Sequence, residues 1–86
     1  MLSLVDCIAF SGLTPDQLEA VACAKHVPVI IAAEWAETEL DKPHGAEAVE
    51  GMLALEVKVA EDHHLPCAAS WIKALAEFHM THPELA

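Results

Sequence analysis

Basic residues are scarce in this chain. Its 86 residues contain 14 acidic side chains against four basic ones, and the formal net charge is −10. The four basic residues are Lys25, Lys42, Lys58 and Lys73, which lie far apart, and arginine is absent. Nucleic acids and anionic lipid surfaces bind proteins through clustered Lys and Arg side chains. The composition therefore argues against nucleic acid and membrane surfaces as partners.

The sequence also lacks a long hydrophobic run and a basic amino-terminal region. Its longest apolar run, residues 27–33, includes Pro28. That run is far shorter than the roughly 20 residues that span a bilayer. The first six residues contain no basic side chain and include Asp6, unlike a signal peptide. We therefore expect a cytoplasmic protein with no transmembrane helix.

Cysteines are few and widely spaced. Cys7, Cys23 and Cys67 form no C-x-x-C pair, so the sequence predicts neither a disulfide framework nor a zinc knuckle. We expect reduced thiols. Cys67 follows Pro66 in the first turn of a predicted helix, where the helix dipole favours a thiolate. A thiol-based redox role at Cys67 is therefore one functional hypothesis.

Apolar side chains, in contrast, are abundant. They make up 55% of the sequence, which is high for one domain spanning residues 1–86. A small domain has much surface for its volume and cannot hide all of that apolar area. We therefore expect a homo-oligomer, most simply a homodimer.

Five prolines divide the chain into short segments. Proline suits the first turn of a helix and breaks a helix at later positions. The prolines are Pro15, Pro28, Pro43, Pro66 and Pro83, and helix-forming residues dominate the segments between them. No alternating strand pattern is present. The segments predict helices over residues 2–11, 15–26, 28–40, 43 or 45 to 63, and 66–80.

Local sequence features support these boundaries. Thr14-Pro15-Asp16-Gln17 combines an N-cap, a proline at the first helical position and a capping box. Gly12, just before it, suits a left-handed stop. A short link at residues 64–65 predicts that the last two helices form an antiparallel hairpin. The predicted fold is thus all-α, a compact bundle of four to five short helices in one domain.

Helical periodicity predicts which faces are buried. The expected stripes are Leu18, Val21 and Ala22; Val29, Ala33, Ala36 and Leu40, with Ile31 and Trp35 on a second face; Val49, Met52, Leu53, Val59 and Ala60; and Ala68, Trp71, Ile72, Leu75 and Phe78. Glu56 falls within the third stripe and His79 within the fourth. A carboxylate buried alone is costly. We therefore expect Glu56 to pair across a protomer interface with His79, His63 or a lysine, or else to line a small polar pocket.

Histidine is unusually frequent, with six residues, and five of them lie at or just beyond predicted helix ends. There they complement the helix dipole. One pair fits a second interpretation, because Glu61 and His64 have the Glu-x-x-His spacing of ferritin-like di-iron proteins, with Glu34 as a partner ligand. In outline this is similar to encapsulated ferritins, which build an iron site across a dimer of two-helix chains. A divalent metal site at Glu34, Glu61 and His64 is therefore the alternative hypothesis, and no other cofactor is predicted.

Acidic residues crowd the end of the third predicted helix. Glu37, Glu39 and Asp41 lie where the helix dipole disfavours negative charge. One interpretation is a solvated face relieved by Lys42 and His44. The other is an acidic patch that binds a cationic partner.

No nucleophilic triad, phosphate loop or paired-carboxylate pattern stands out, so the sequence favours a non-enzymatic protein. The preferred hypothesis is a small acidic helical protein that acts in regulation through self-association or partner binding. The residues expected at the interface are Trp35, Glu37, Glu39, Glu56, Trp71 and His79.

Three stretches carry a resemblance to other sequences: residues 13–22, residues 26–34 and residues 78–83. Together they cover about half of the chain, which resembles a group of small uncharacterised proteobacterial proteins. In that group a glutamate often follows the proline, where this chain has Val29. The resemblance implies an all-helical fold and no established activity.

Overall fold

Helices account for all the regular secondary structure in the part of the chain that the structure describes. This computed structural model describes residues 11–85. Its elements are α1 (Pro15–Lys25), α2 (Val29–Leu40), α3 (Gly45–Asp62), α4 (Ala68–Thr81) and a 3₁₀ helix (Pro83–Leu85). The predicted all-α class is confirmed. The helix predicted over residues 2–11 lies, apart from Ser11, outside the described residues.

The start of α1 follows the predicted local pattern. The backbone N–H of Gln17 donates to Thr14 Oγ1 at 3.2 Å, and the backbone N–H of Thr14 donates to Gln17 Oε1 at 2.9 Å. These two bonds form the capping box, and Pro15 is the first helical residue. Gly12 has a φ of +80°, the left-handed conformation expected there. Residues close in sequence are therefore enough to determine where α1 begins.

A left-handed histidine ends α1. His26 has a φ of 56°, and its N–H donates to the Cys23 carbonyl at 3.3 Å. The next N–H, that of Val27, reaches back to the Ala22 carbonyl at 3.1 Å. These are the two hydrogen bonds of a Schellman motif, in which glycine is the usual left-handed residue. Pro28 then prevents the helix from continuing.

The same motif ends α3. His64 has a φ of 54°, and its N–H donates to the Glu61 carbonyl at 3.2 Å. The N–H of Leu65 donates to the Ala60 carbonyl at 2.9 Å. Both His26 and His64 thus occupy positions that usually favour glycine, so each histidine holds its left-handed backbone at a cost in free energy.

Replacing His26 with glycine should stabilise the protein. A side chain in the left-handed region costs about 1–2 kcal/mol, and the greater freedom of glycine in the unfolded chain offsets part of that gain. We expect His26→Gly to raise the free energy of unfolding by about 0.5–1 kcal/mol, measured by urea denaturation. The matched control, Ala24→Gly inside α1, should lower it by about 1 kcal/mol. A His26→Gly protein no more stable than wild type would contradict this account of the helix end.

The four helices close around an apolar core. α2 contacts both α1 and α3, as its two-sided apolar pattern predicts, and the contact between α3 and α4 is the most extensive. The buried apolar residues are Leu13, Leu18, Ala20, Val21, Ala22, Ala32, Ala33, Ala36, Val49, Leu53, Val57, Ala60, Trp71, Ala74 and Phe78. The predicted stripe of α1 is confirmed in full. None of the helices in residues 11–85 is long and apolar enough to cross a bilayer.

Three residues predicted on buried faces lie at the surface. Ile31 on α2, Val59 on α3 and Ile72 on α4 are between 37% and 45% exposed, whereas Val57 on α3 is buried. At about 100° per residue, Val57 falls about 40° from the buried Leu53 around the axis of α3, whereas Val59 falls about 120° from it. The positions of the neighbouring helices determine which part of a broad apolar face is covered. The periodicity of apolar residues within one helix does not specify those positions.

Candidate functional site

A cleft lies between the start of α1 and the end of α4. Its volume is about 480 Å³. One wall comes from Gly12, Leu13, Thr14 and Gln17, and the other from Glu77, Met80, Thr81 and His82. We call it the α1–α4 cleft.

Gln17 anchors the α1 wall of this cleft. It is buried, and besides completing the capping box its Nε2 donates to the Ala74 carbonyl of α4 at 3.0 Å. That bond joins residues 57 positions apart in sequence. A buried hydrogen bond between α1 and α4 therefore holds the two walls in register.

A polar network shapes the α4 wall. His82 Nδ1 lies 3.1 Å from the Phe78 carbonyl oxygen and 3.0 Å from Thr81 Oγ1. Thr81 Oγ1 itself lies 3.1 Å from the same Phe78 carbonyl. The imidazole of His82 also stacks on the ring of Phe78, with centroids 4.1 Å apart. The His82 ring is therefore fixed over the end of α4, with Nδ1 turned inward.

A second cleft, of about 280 Å³, lies nearby and shares His82. Besides His82, the residues that line this second cleft are Leu40, Lys42, His44, Gly45, Ala46, Glu47, Glu84 and Leu85.

An apolar stripe runs along the outer face of α3. We call Ala48, Met52, Leu55 and Val59 the α3 seam. The side chain of Leu55 is 58% exposed, Ala48 and Val59 are exposed, and Met52 is half-buried. Spacings of four, three and four residues keep these side chains on one face, as the a and d positions of a coiled coil do. The seam thus presents apolar surface with the periodicity of a helix–helix contact.

The residues predicted to bind metal are not assembled into a site. Glu34 is exposed on α2 and Glu61 is exposed on α3. His64 lies beyond the end of α3 with a left-handed backbone, so the helical-face geometry expected of Glu-x-x-His does not hold. Within residues 11–85, no group of three or more His, Cys, Asp or Glu side chains is arranged to hold a metal ion. The metal hypothesis stays a prediction with no geometric support.

The predicted interface residues on α2 lie near solvent. Trp35 is half-buried, and Lys25 Nζ lies 4.4 Å from its ring centroid in a cation–π contact. Glu37 is exposed, while Glu39 Oε2 pairs with Lys42 Nζ at 3.2 Å. The ion pair of Glu39 with Lys42 supports the interpretation of a solvated acidic face whose negative charge Lys42 partly neutralises.

The remaining predicted interface residues have contacts within their own chain. His79 Nε2 lies 3.3 Å from Glu50 Oε1, which links the end of α4 to the first half of α3. Glu56 is half-buried and interacts with Cys23. Trp71 is buried in the core, so it lies on no exposed surface, and its Nε1 has no hydrogen-bond partner among the described residues. Within one chain Trp71 thus presents no surface to a partner, whereas the α3 seam does.

The two described cysteines are unpaired thiols. Cys67 is half-buried at the N-cap of α4 and packs against the core. Partial burial of the thiol, together with the nearby carboxylate of Glu56, raises the pKa of Cys23 above its ordinary value. The raised pKa disfavours the thiolate, which is the nucleophilic form of cysteine. The thiol hypothesis at Cys67 stays a prediction.

Sequence reasoning missed Leu55 and the α1–α4 cleft. The sequence does contain a signal for Leu55, because apolar residues with coiled-coil spacing lie on both sides of Met52 along the seam. The sequence contains no such signal for the cleft, because its two walls come from opposite ends of the described chain.

Comparison with protein-family models, with curated proteins and with solved structures finds no match to this chain.

Proposed function

We propose that this protein is non-enzymatic and acts through self-association, as a homodimer that forms along the α3 seam. The observation that carries the proposal is the exposure of Leu55 and Val59 one helical turn apart on the same face. Exposed apolar residues that are scattered singly are ordinary, whereas a continuous stripe marks an interaction surface. Two copies of α3 related by a two-fold axis would cover each other's seam.

The energetics favour this arrangement. Fully burying one Leu or Val side chain contributes about 1.5–3 kcal/mol, and a symmetric contact buries each seam residue twice. Against this gain stands the repulsion between two chains that each carry a net charge of −10. Salt screens that repulsion, with a Debye length of about 10 Å at 0.1 M. Dimer affinity should therefore rise with salt concentration, whereas an interface built on ion pairs would weaken.

The test is the effect of single charges on native mass. We expect Leu55→Glu to convert the dimer into a monomer in sedimentation equilibrium, with an unchanged helical circular dichroism spectrum. The matched control is Ile72→Glu on α4, because Ile72 has similar exposure but lies outside the seam. It should leave the mass of the wild-type assembly unchanged. Equal effects of the two substitutions would contradict an interface at the seam.

We infer that α3 and α4 form an antiparallel hairpin. The contact of Glu50 with His79 supports this geometry, since these residues lie near the start of α3 and the end of α4.

A cytoplasmic location agrees with the unpaired thiols of Cys23 and Cys67. A regulatory role agrees with an assembly whose strength depends on protein and salt concentration.

A further inference from the structure

We propose that the α1–α4 cleft binds a primary ammonium ion that carries a short apolar chain. This binding site is separate from the α3 seam, and the inference does not depend on the proposed dimer. It follows from the hydrogen-bonding state of the cleft's polar atoms, from their charge and from the shape of the walls.

His82 presents an acceptor to the cleft. The Phe78 carbonyl oxygen can only accept a hydrogen bond, so we assign the proton of the neutral His82 ring to Nδ1, which lies 3.1 Å from it. In the neutral ring Nε2 then holds a lone pair. Thr81 Oγ1 donates its proton to the Phe78 carbonyl and lies 3.0 Å from Nδ1, which shares its single proton between the two oxygens. In that tautomer Nε2 is the acceptor that His82 can offer to a ligand in the cleft that it lines.

Glu77 adds a negative charge on the same wall. Its carboxylate contacts Lys73 Nζ at 4.0 Å, the outer limit of an ion pair, and both side chains are substantially exposed. Such a pair is worth little and leaves the carboxylate free to accept from another cation. Glu77 and His82 Nε2 are both acceptors, so a ligand that satisfies both must donate more than one hydrogen bond.

The electrostatic field at this position favours a cation. The α4 wall is the carboxyl end of a helix, where the macrodipole is negative. The chain also carries a net charge of −10, which attracts cations over longer distances. An ammonium group supplies the positive charge and three N–H donors together.

The other residues that line the cleft favour a ligand with an apolar chain. Leu13 and Met80 face the cleft from opposite walls, and Met80 is 80% exposed, so covering it removes apolar area from water. Methionine adapts to irregular apolar groups. A volume of about 480 Å³ lies within the usual range of ligand cavities, about 300–1,000 Å³. On the α1 wall, the Thr14 hydroxyl accepts from the Gln17 N–H and keeps its own proton as a donor.

The experiment is an amide chemical-shift titration of the full chain with hexylammonium chloride. We expect saturable shifts at Leu13, Thr14, Met80 and Thr81, with a dissociation constant in the millimolar range. Hexan-1-ol, which has the same chain without the charge, should bind about tenfold more weakly. Equal binding of the amine and the alcohol would overturn the proposal, because apolar contact alone would then explain it. Shifts at residues away from the cleft would also overturn it.

Variants separate the site from net charge. Glu77→Gln should weaken hexylammonium binding about tenfold, since it replaces the carboxylate with a neutral amide. Glu37→Gln makes the same change in net charge on exposed α2 and should leave the affinity unchanged. Similar affinities for these two variants would contradict a site at Glu77. Both side chains lie near solvent, so we expect both variants to fold, and the wild-type amine and alcohol titrations test the proposal without them.

Discussion

Gly45→Ala should destabilise the protein by about 3 kcal/mol or more, the cost of forcing atoms into a packed backbone contact. A Cβ atom built on Gly45 would overlap the carbonyl oxygen of Glu39 and lie 2.6 Å from its carbonyl carbon. These are main-chain atoms, so no side chain can swing aside. The end of α2 and the start of α3 would have to separate. Urea denaturation followed by circular dichroism measures the loss.

Gly51→Ala is the matched control, because it makes the same substitution in the same helix. A Cβ atom on Gly51 meets nothing within 4 Å. Alanine there should stabilise the protein by about 0.5–1 kcal/mol through better helix propensity. Opposite signs at the two glycines are therefore expected. A Gly45→Ala protein as stable as wild type would mean that α2 and α3 do not approach closely at this point.

Gln17→Leu should destabilise the protein by about 2–3 kcal/mol, with side-chain volume kept similar. The substitution removes the acceptor for the Thr14 N–H, worth about 1 kcal/mol as half of a capping box. It also removes the buried bond from Gln17 Nε2 to the Ala74 carbonyl, worth about 0.5–1.5 kcal/mol. Leaving the Thr14 N–H unpaired beside the core adds a desolvation cost. Chemical denaturation again gives the value.

The control for Gln17→Leu is Thr14→Ala, which removes the other hydrogen bond of the capping box, from the Gln17 N–H to Thr14 Oγ1. It leaves the bond between Gln17 and Ala74 in place and should cost about 1 kcal/mol. The difference between the two variants then measures the tie between α1 and α4. If the two variants lost the same stability, the bond to Ala74 would contribute nothing.

Features that depend on neighbouring residues in the sequence were predictable. The capping box of Thr14 and Gln17, the left-handed Gly12 and the helix breaks at Pro28 and Pro66 all follow from the chemistry of a few adjacent residues. The all-α class follows from them, because helix-forming segments fill the spaces between breaks.

Features that depend on helix placement were not predictable. Val59 was expected in the core, yet the packing of α1, α2 and α4 determines which side of α3 is covered. The carbonyl of Glu39 meets Gly45 because the turn over residues 41–44 folds the start of α3 back onto the end of α2, and the sequence does not specify how tightly that turn closes. His64 was expected on a helical face, but its left-handed backbone, which its residue type does not signal, places it beyond the helix.

Self-association along the α3 seam is tested most directly by sedimentation equilibrium of the full chain at low and high salt. One chain has a mass of 9.2 kDa. We predict a reversible monomer–dimer equilibrium that shifts toward twice that mass as salt rises, and a Leu55→Glu variant that stays monomeric. A wild-type protein with the mass of one chain at every protein and salt concentration would contradict it.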